Sequence, residues 1–144
     1  SDASYEGIGG WSPDMNFYWR TTRDELISYG FDMKALILHD TEPQAHAKGL
    51  HINILEFVAM TINLWMIIKA SQINDQPIGG YILTLLSDST SALSWMRHAS
   101  RSHASPLTRR LSRYFTALLL YSQFPGAIQP NHIKGIDNWI ADIL

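Results

Sequence analysis

Apolar positions along the chain follow two periods. Leu55, Val58, Ala59, Ile62 and Met66 recur at three- and four-residue spacing, with Trp65 widening the stripe, which predicts a buried helix over 54–71. "YILTLLS" at 81–87 is a continuous apolar run, suited to a strand buried on both faces. "NDQPIGG" (74–80) between them is a turn. Residues 91–99 read as a short helix, and "SRSHAS" links it to a longer one. That helix opens with Pro106 in its first turn and runs to about Gln123, before Pro125 and Gly126. "AIQPNHIKG" (127–135) is a strand in which Pro130 marks an edge or bulge position, and "DNWIADIL" opens a last helix.

The first fifty residues are less regular. "SDASYEGIGGWS" reads as the end of one strand, a glycine-marked turn at Gly7–Gly10 and a second strand from Trp11. A strand ordinarily needs about five residues, so part of the first is expected upstream of Ser1. "MNFYWRT" and "KALILHD" have strand composition, "RTTRDELISYGF" suits a short helix or an edge strand closed by Gly30, and "EPQAHAKG" (42–49) reads as a loop. The order is strands, helix, strand, helices, strand, helix, which describes an α/β domain with a mixed sheet.

Composition narrows the class. The 144 residues are 46% hydrophobic and 17% charged, which suits one globular domain and argues against disorder. Without cysteine there is neither a disulfide framework nor a thiolate metal site. The longest apolar run, Ile54–Ile68, is broken by Glu56 and Asn63, so no membrane span is expected. The net charge of −2 hides an asymmetry: Arg97–Arg113 holds five arginines and two histidines with no acid, whereas most acids lie in the first half. A basic segment beside an acidic remainder suits a protein that grips a polyanion at one place and holds cations at another.

Four acids stand out. Asp2 ends the first strand, Glu56 lies in the first turn of the predicted helix, Asp88 follows the central strand, and Asp142 lies inside the last helix. Each also has an ordinary reading. Asn53 and Glu56 are spaced as a capping box, Asp88 or Ser89 suits an N-cap, Asp137 suits the cap of the last helix, and Asp2 near a chain end can simply be solvated. Asp142 has no cap to make, and Glu56 sits in a helix apolar until Lys69. A buried charge there costs several kcal/mol unless it is paired or bound to metal.

"SDAS…GG" at the start, "INILEFVA" at 52–59, "LLSDSTSALSWM" at 85–96 and "HIKGIDNWIADIL" at 132–144 together resemble the four blocks of a ribonuclease H domain. The similarity is to those attached to retroelement reverse transcriptases, of the LTR or tyrosine-recombinase type. It implies a ribonuclease H-like fold, a five-stranded mixed sheet of three antiparallel then two parallel strands flanked by helices. The single domain over 1–144 would be cut from a longer polyprotein and trimmed at both ends. It also implies an Asp-Glu-Asp-Asp site of Asp2, Glu56, Asp88 and Asp142, holding two Mg²⁺ ions with Mn²⁺ as a substitute. Two departures are visible: Lys134-Gly135 is followed by Ile-Asp-Asn without the family's loop histidine, and Ser89 stands where Asn is common.

The implied reaction is hydrolysis of the RNA strand of an RNA·DNA hybrid during reverse transcription, leaving 5′-phosphate and 3′-hydroxyl ends. The expected setting is intracellular, on a chain that also carries the polymerase. Clustered carboxylates repel and raise one another's pKa without a cation, and a metal pair about 4 Å apart can activate water and stabilise the departing oxygen. Small polar groups beside the acids (Ser4, Ser89, Thr90) are candidates for contact with the strand. Arg97, Arg101, Arg109, Arg110 and Arg113 are candidates for phosphate, or form a solvated helix face. The alternatives are a DNA-directed nuclease of the same fold, or a catalytically silent nucleic-acid-binding or scaffold module.

Overall fold

A computed structural model describes residues 1–4, 6–29, 47–98, 106–121 and 127–143. Asp2–Ser4 (β1), Gly7–Ser12 (β2) and Phe17–Thr22 (β3) form an antiparallel sheet in that order. Helices Arg23–Ser28 (α1) and Ala47–Ile73 (α2) follow, then Ile82–Ser87 (β4), Thr90–Arg97 (α3), Pro106–Tyr121 (α4) and Ala127–His132 (β5). A 3₁₀ turn at Gly135–Asp137 leads into Trp139–Asp142 (α5). β4 and β5 pair in parallel, Ile82 opposite Ala127 through Ser87 opposite His132. Among the described residues the protein is thus α/β with three antiparallel and two parallel strands. The two ladders meet where the backbone nitrogen of Ser1 donates to the Leu86 carbonyl at 3.2 Å.

The glycines expected to form a turn lie inside β2 instead. The turn is made by Ser4, whose hydroxyl accepts from the Glu6 N–H at 3.2 Å and donates to the Gly7 carbonyl at 3.4 Å. The glycines serve close approach. A Cβ on Gly10 would sit 2.6 Å from Asn63 Oδ1 and 2.7 Å from Trp19 Nε1, in the path of the Trp19–Asn63 hydrogen bond. A Cβ on Gly7 would collide with the Thr21 carbonyl of the neighbouring strand. The ambiguous stretch after β3 is helical because Thr22 and Glu25 close a capping box, Glu25 N–H to Thr22 Oγ1 at 3.3 Å and Thr22 N–H to Glu25 Oε2 at 2.8 Å.

α2 is the core of the molecule, and it is longer than its apolar stripe. It begins at Ala47, so 47–49 are helical rather than loop, and the rest of the expected 42–49 loop lies outside the described residues, as does "KALILHD". Leu55, Val58 and Ala59 pack with Ile8 of β2 and Leu26 of α1, while Phe57, Met60 and Leu64 pack with Leu93, Met96 and Phe115. By length and composition Ile52–Ile73 could cross a membrane, contrary to the sequence expectation; in this fold most of its apolar stretch is buried. Strand β4 is not buried on both faces: Leu85 and Ser87 point inward, but Ile82, Thr84 and Leu86 are exposed. Pro130 of β5 faces Leu85 across the ladder, and β5 is the outer strand of this ladder among the described residues, where a missing N–H is tolerated.

Candidate metal centre

Three of the four acids converge. Asp2 arrives on β1, Glu56 on α2, and Asp88 one residue past the end of β4, with a carboxylate oxygen of each within 4.8 Å of the others. The cause is local at each position. β4 ends at Ser87, whose side chain is buried like that of Leu85, and the chain bends at Asp88 before the next helix. On α2 the neighbours of Glu56 are buried against the sheet and the helices behind it, which aims its carboxylate at the strand ends.

None of these acids caps a helix. Ser89 is the N-cap of α3, its hydroxyl accepting from the Ala92 N–H at 3.2 Å. The capping box expected of Asn53 and Glu56 does not form, because both lie well inside α2; Asn53 Oδ1 instead accepts from the Ser89 hydroxyl at 3.0 Å. Asp137 belongs to the 3₁₀ turn, and Asn138 holds the N-cap position of α5.

Glu56 is only 4% exposed. Its Oε1 accepts from the Ala3 N–H at 2.8 Å and its Oε2 from the Ser87 hydroxyl at 3.3 Å. Burial, followed by the charge of Asp2, pushes its pKa from the ordinary 4.5 up to about 8, against the pull of the Ala3 N–H. Asp2 is also raised, by burial first and then by the charges of Asp142 and Asp88. Like charges held this close raise one another's pKa, and a bound cation would relieve that repulsion. The donor set is oxygen throughout, without thiolate or imidazole, which suits a hard divalent ion.

Asp142 stands apart from this triad. It is exposed on α5, so the argument from a buried, uncompensated charge holds for Glu56 and not for Asp142. Its charge still reaches Asp2, and the two share the wall of a pocket of about 260 Å³ that also takes in Arg20. Asn138 fixes this neighbourhood by donating from Nδ2 to the Ser1 carbonyl at 3.2 Å, tying α5 to the start of β1.

The other candidates take different places, Ser4 lining the same pocket as Asp2 and Asp142. Ser4 belongs to the β1–β2 turn, Ser89 is engaged as a cap, and Thr90 is exposed at the start of α3. Arg97 gives a guanidinium N–H to the Pro130 carbonyl and so braces β5. Arg109, Arg110 and Arg113 are exposed on α4, and Arg101 lies outside the described residues. Sequence reasoning missed Ser87, fully buried, which donates to Glu56 and accepts from the Ser89 N–H at 3.1 Å.

Fold and site together define an α/β domain with a three-carboxylate centre able to hold a metal ion. Comparison of the chain with protein-family models, curated proteins and solved structures finds no match.

Proposed function

We propose that the protein is a ribonuclease H-like, Mg²⁺-dependent endonuclease that hydrolyses the RNA strand of RNA·DNA hybrids. One observation carries the reading: carboxylates from residues 2, 56 and 88 meet within 4.8 Å around a buried glutamate. Bringing three separate segments together at this electrostatic cost has a physical rationale if the site holds cations. The resemblance in the four sequence blocks supplies the substrate class and the link to a retroelement reverse transcriptase.

Divalent ions at such a site supply Lewis acidity and a water that is nucleophilic at neutral pH. In this reading Asp2, Glu56 and Asp88 hold the ions, with Asp142 closing the centre from the solvent side. Ser87 and the Ala3 N–H fix the Glu56 carboxylate in one orientation, so its oxygens need no reordering when an ion or phosphate arrives. Asn138 keeps α5, and with it Asp142, against β1.

The test is a substrate panel in Mg²⁺: a hybrid labelled on RNA, the same hybrid labelled on DNA, and duplex DNA. Cleavage of the RNA strand alone, leaving 5′-phosphate ends, is expected. Cleavage of duplex DNA with an intact hybrid would reassign the protein to a DNA-directed nuclease. Binding of the hybrid with no cleavage would make it a silent module.

A further inference from the structure

The pocket beside the triad has a construction of its own. Asp2 pairs with Gly9, and Gly9 pairs with Arg20, so the three form one row across the sheet. Residues directly opposite in an antiparallel sheet project from the same face. Ser4, Gly7 and Thr22 form the next row on that face. Gly7 and Gly9 therefore leave the middle strand bare, and the result is a trough with a backbone floor. Asp2 on β1, with the charge of Asp142 acting on it, and Arg20 on β3 flank the Gly9 floor, and Glu6 also lines the trough. Two strand spacings separate Asp2 from Arg20, roughly 10 Å across the sheet.

We propose that this trough seats a backbone phosphate of the bound nucleic acid next to the cut site, with Arg20 as its positioning residue. The proposal rests on the nuclease reading above. A guanidinium offers a planar fork of donors that matches two phosphate oxygens, and a glycine floor lets a sugar–phosphate chain approach the sheet closely. Arg20 is exposed on the sheet. The nearby Glu25 is engaged by the Thr22 N–H and hydroxyl at 2.8 and 3.1 Å. The acids on the opposite side repel a phosphate until a cation neutralises them. The subsite is thus coupled to the metal centre: ions on Asp2 relieve the repulsion from that side, and Arg20 supplies the positive charge that holds the phosphate. Arg20 sets where the strand lies and takes no part in bond breaking.

The experiment uses hybrids in which a single phosphate is replaced by an uncharged methylphosphonate, moved stepwise away from the cut site, with wild type, Arg20→Ala and Arg20→Lys compared in Mg²⁺. Loss of one charge-assisted contact should raise KM for Arg20→Ala roughly tenfold with kcat little changed. Arg20→Lys should recover part of the loss, and melting temperatures should be unaltered. One methylphosphonate position close to the cut should cost wild type a similar factor and cost Arg20→Ala nothing further. An unchanged KM, or an identical methylphosphonate profile in wild type and Arg20→Ala, overturns the subsite while leaving the nuclease reading intact. Should Arg20→Ala fold poorly, the wild-type scan still decides, because insensitivity at every position near the cut excludes a phosphate seat. Absence of any cleavage by wild type overturns both.

Discussion

At the residue scale the energetics of the centre turn on Glu56, buried beside Asp2 and Asp88 and satisfied by two hydrogen bonds. Its pKa is raised from 4.5 to about 8, so between those values the folded metal-free protein holds a proton that the unfolded chain has released. Stability is then greatest below about pH 4.5 as far as this group is concerned, and is lost as pH rises through 8. The loss across that window should be on the order of 5 kcal/mol, since each pKa unit corresponds to about 1.4 kcal/mol. Thermal melts in chelator should fall from pH 5 to pH 8, and added Mg²⁺ should restore the pH 8 value. Glu56→Gln keeps the shape and removes the titration, so its melting temperature should exceed that of wild type at pH 8 without metal, while cleavage drops at least about a hundredfold. A melting temperature independent of pH in wild type would contradict the assignment. Much of this was legible beforehand: Glu56 stood out as an acid in an apolar helix. Its hydroxyl partner Ser87 did not, because a serine at a strand end has no pattern that separates an orienting group from a turn residue.

At the scale of elements, the junction of β4 and α3 divides its labour between adjacent residues. Ser89 caps the helix and bonds to Asn53 of α2, which leaves Asp88 available to the centre. Ser89→Ala should cost about 1 kcal/mol in denaturant unfolding, as lost caps do, whereas Asp88→Ala should cost nothing or stabilise the metal-free protein by relieving repulsion. The reverse order of effects would assign Asp88 the cap. Strand β2 offers a second case: Gly10→Ala would press against Asn63 and the Trp19 indole, and should destabilise by roughly 1–3 kcal/mol in the same measurement. Such close approach is invisible to local pattern, which is why a glycine cluster suggested a turn where the chain builds a strand. The start of α2 was missed for a related reason. The apolar stripe begins only near Ile54, and Asn53 with Glu56 imitates a helix start that the preceding residues override.

Over the whole molecule, the strand and helix order was readable because apolar runs and turn residues alternate cleanly after residue 53. The convergence of Asp2, Glu56 and Asp88 was legible from their places at two strand ends and on a helix, since sites in an α/β sheet form beyond the strand ends, and the resemblance of the four blocks pointed to the same acids. The separation of exposed Asp142 from the triad was not anticipated, because it depends on how the short α5 lies against β1. The central claim is that the converged carboxylates work as a metal-dependent nuclease centre. Its most direct test follows the cleavage rate of an RNA-labelled hybrid against Mg²⁺ concentration for wild type and Asp88→Asn. Saturating, chelator-reversible cleavage by wild type, and a rate lower by at least about a hundredfold in Asp88→Asn, is the predicted result. Cleavage that persists in chelator, or that survives Asp88→Asn unchanged, would contradict it.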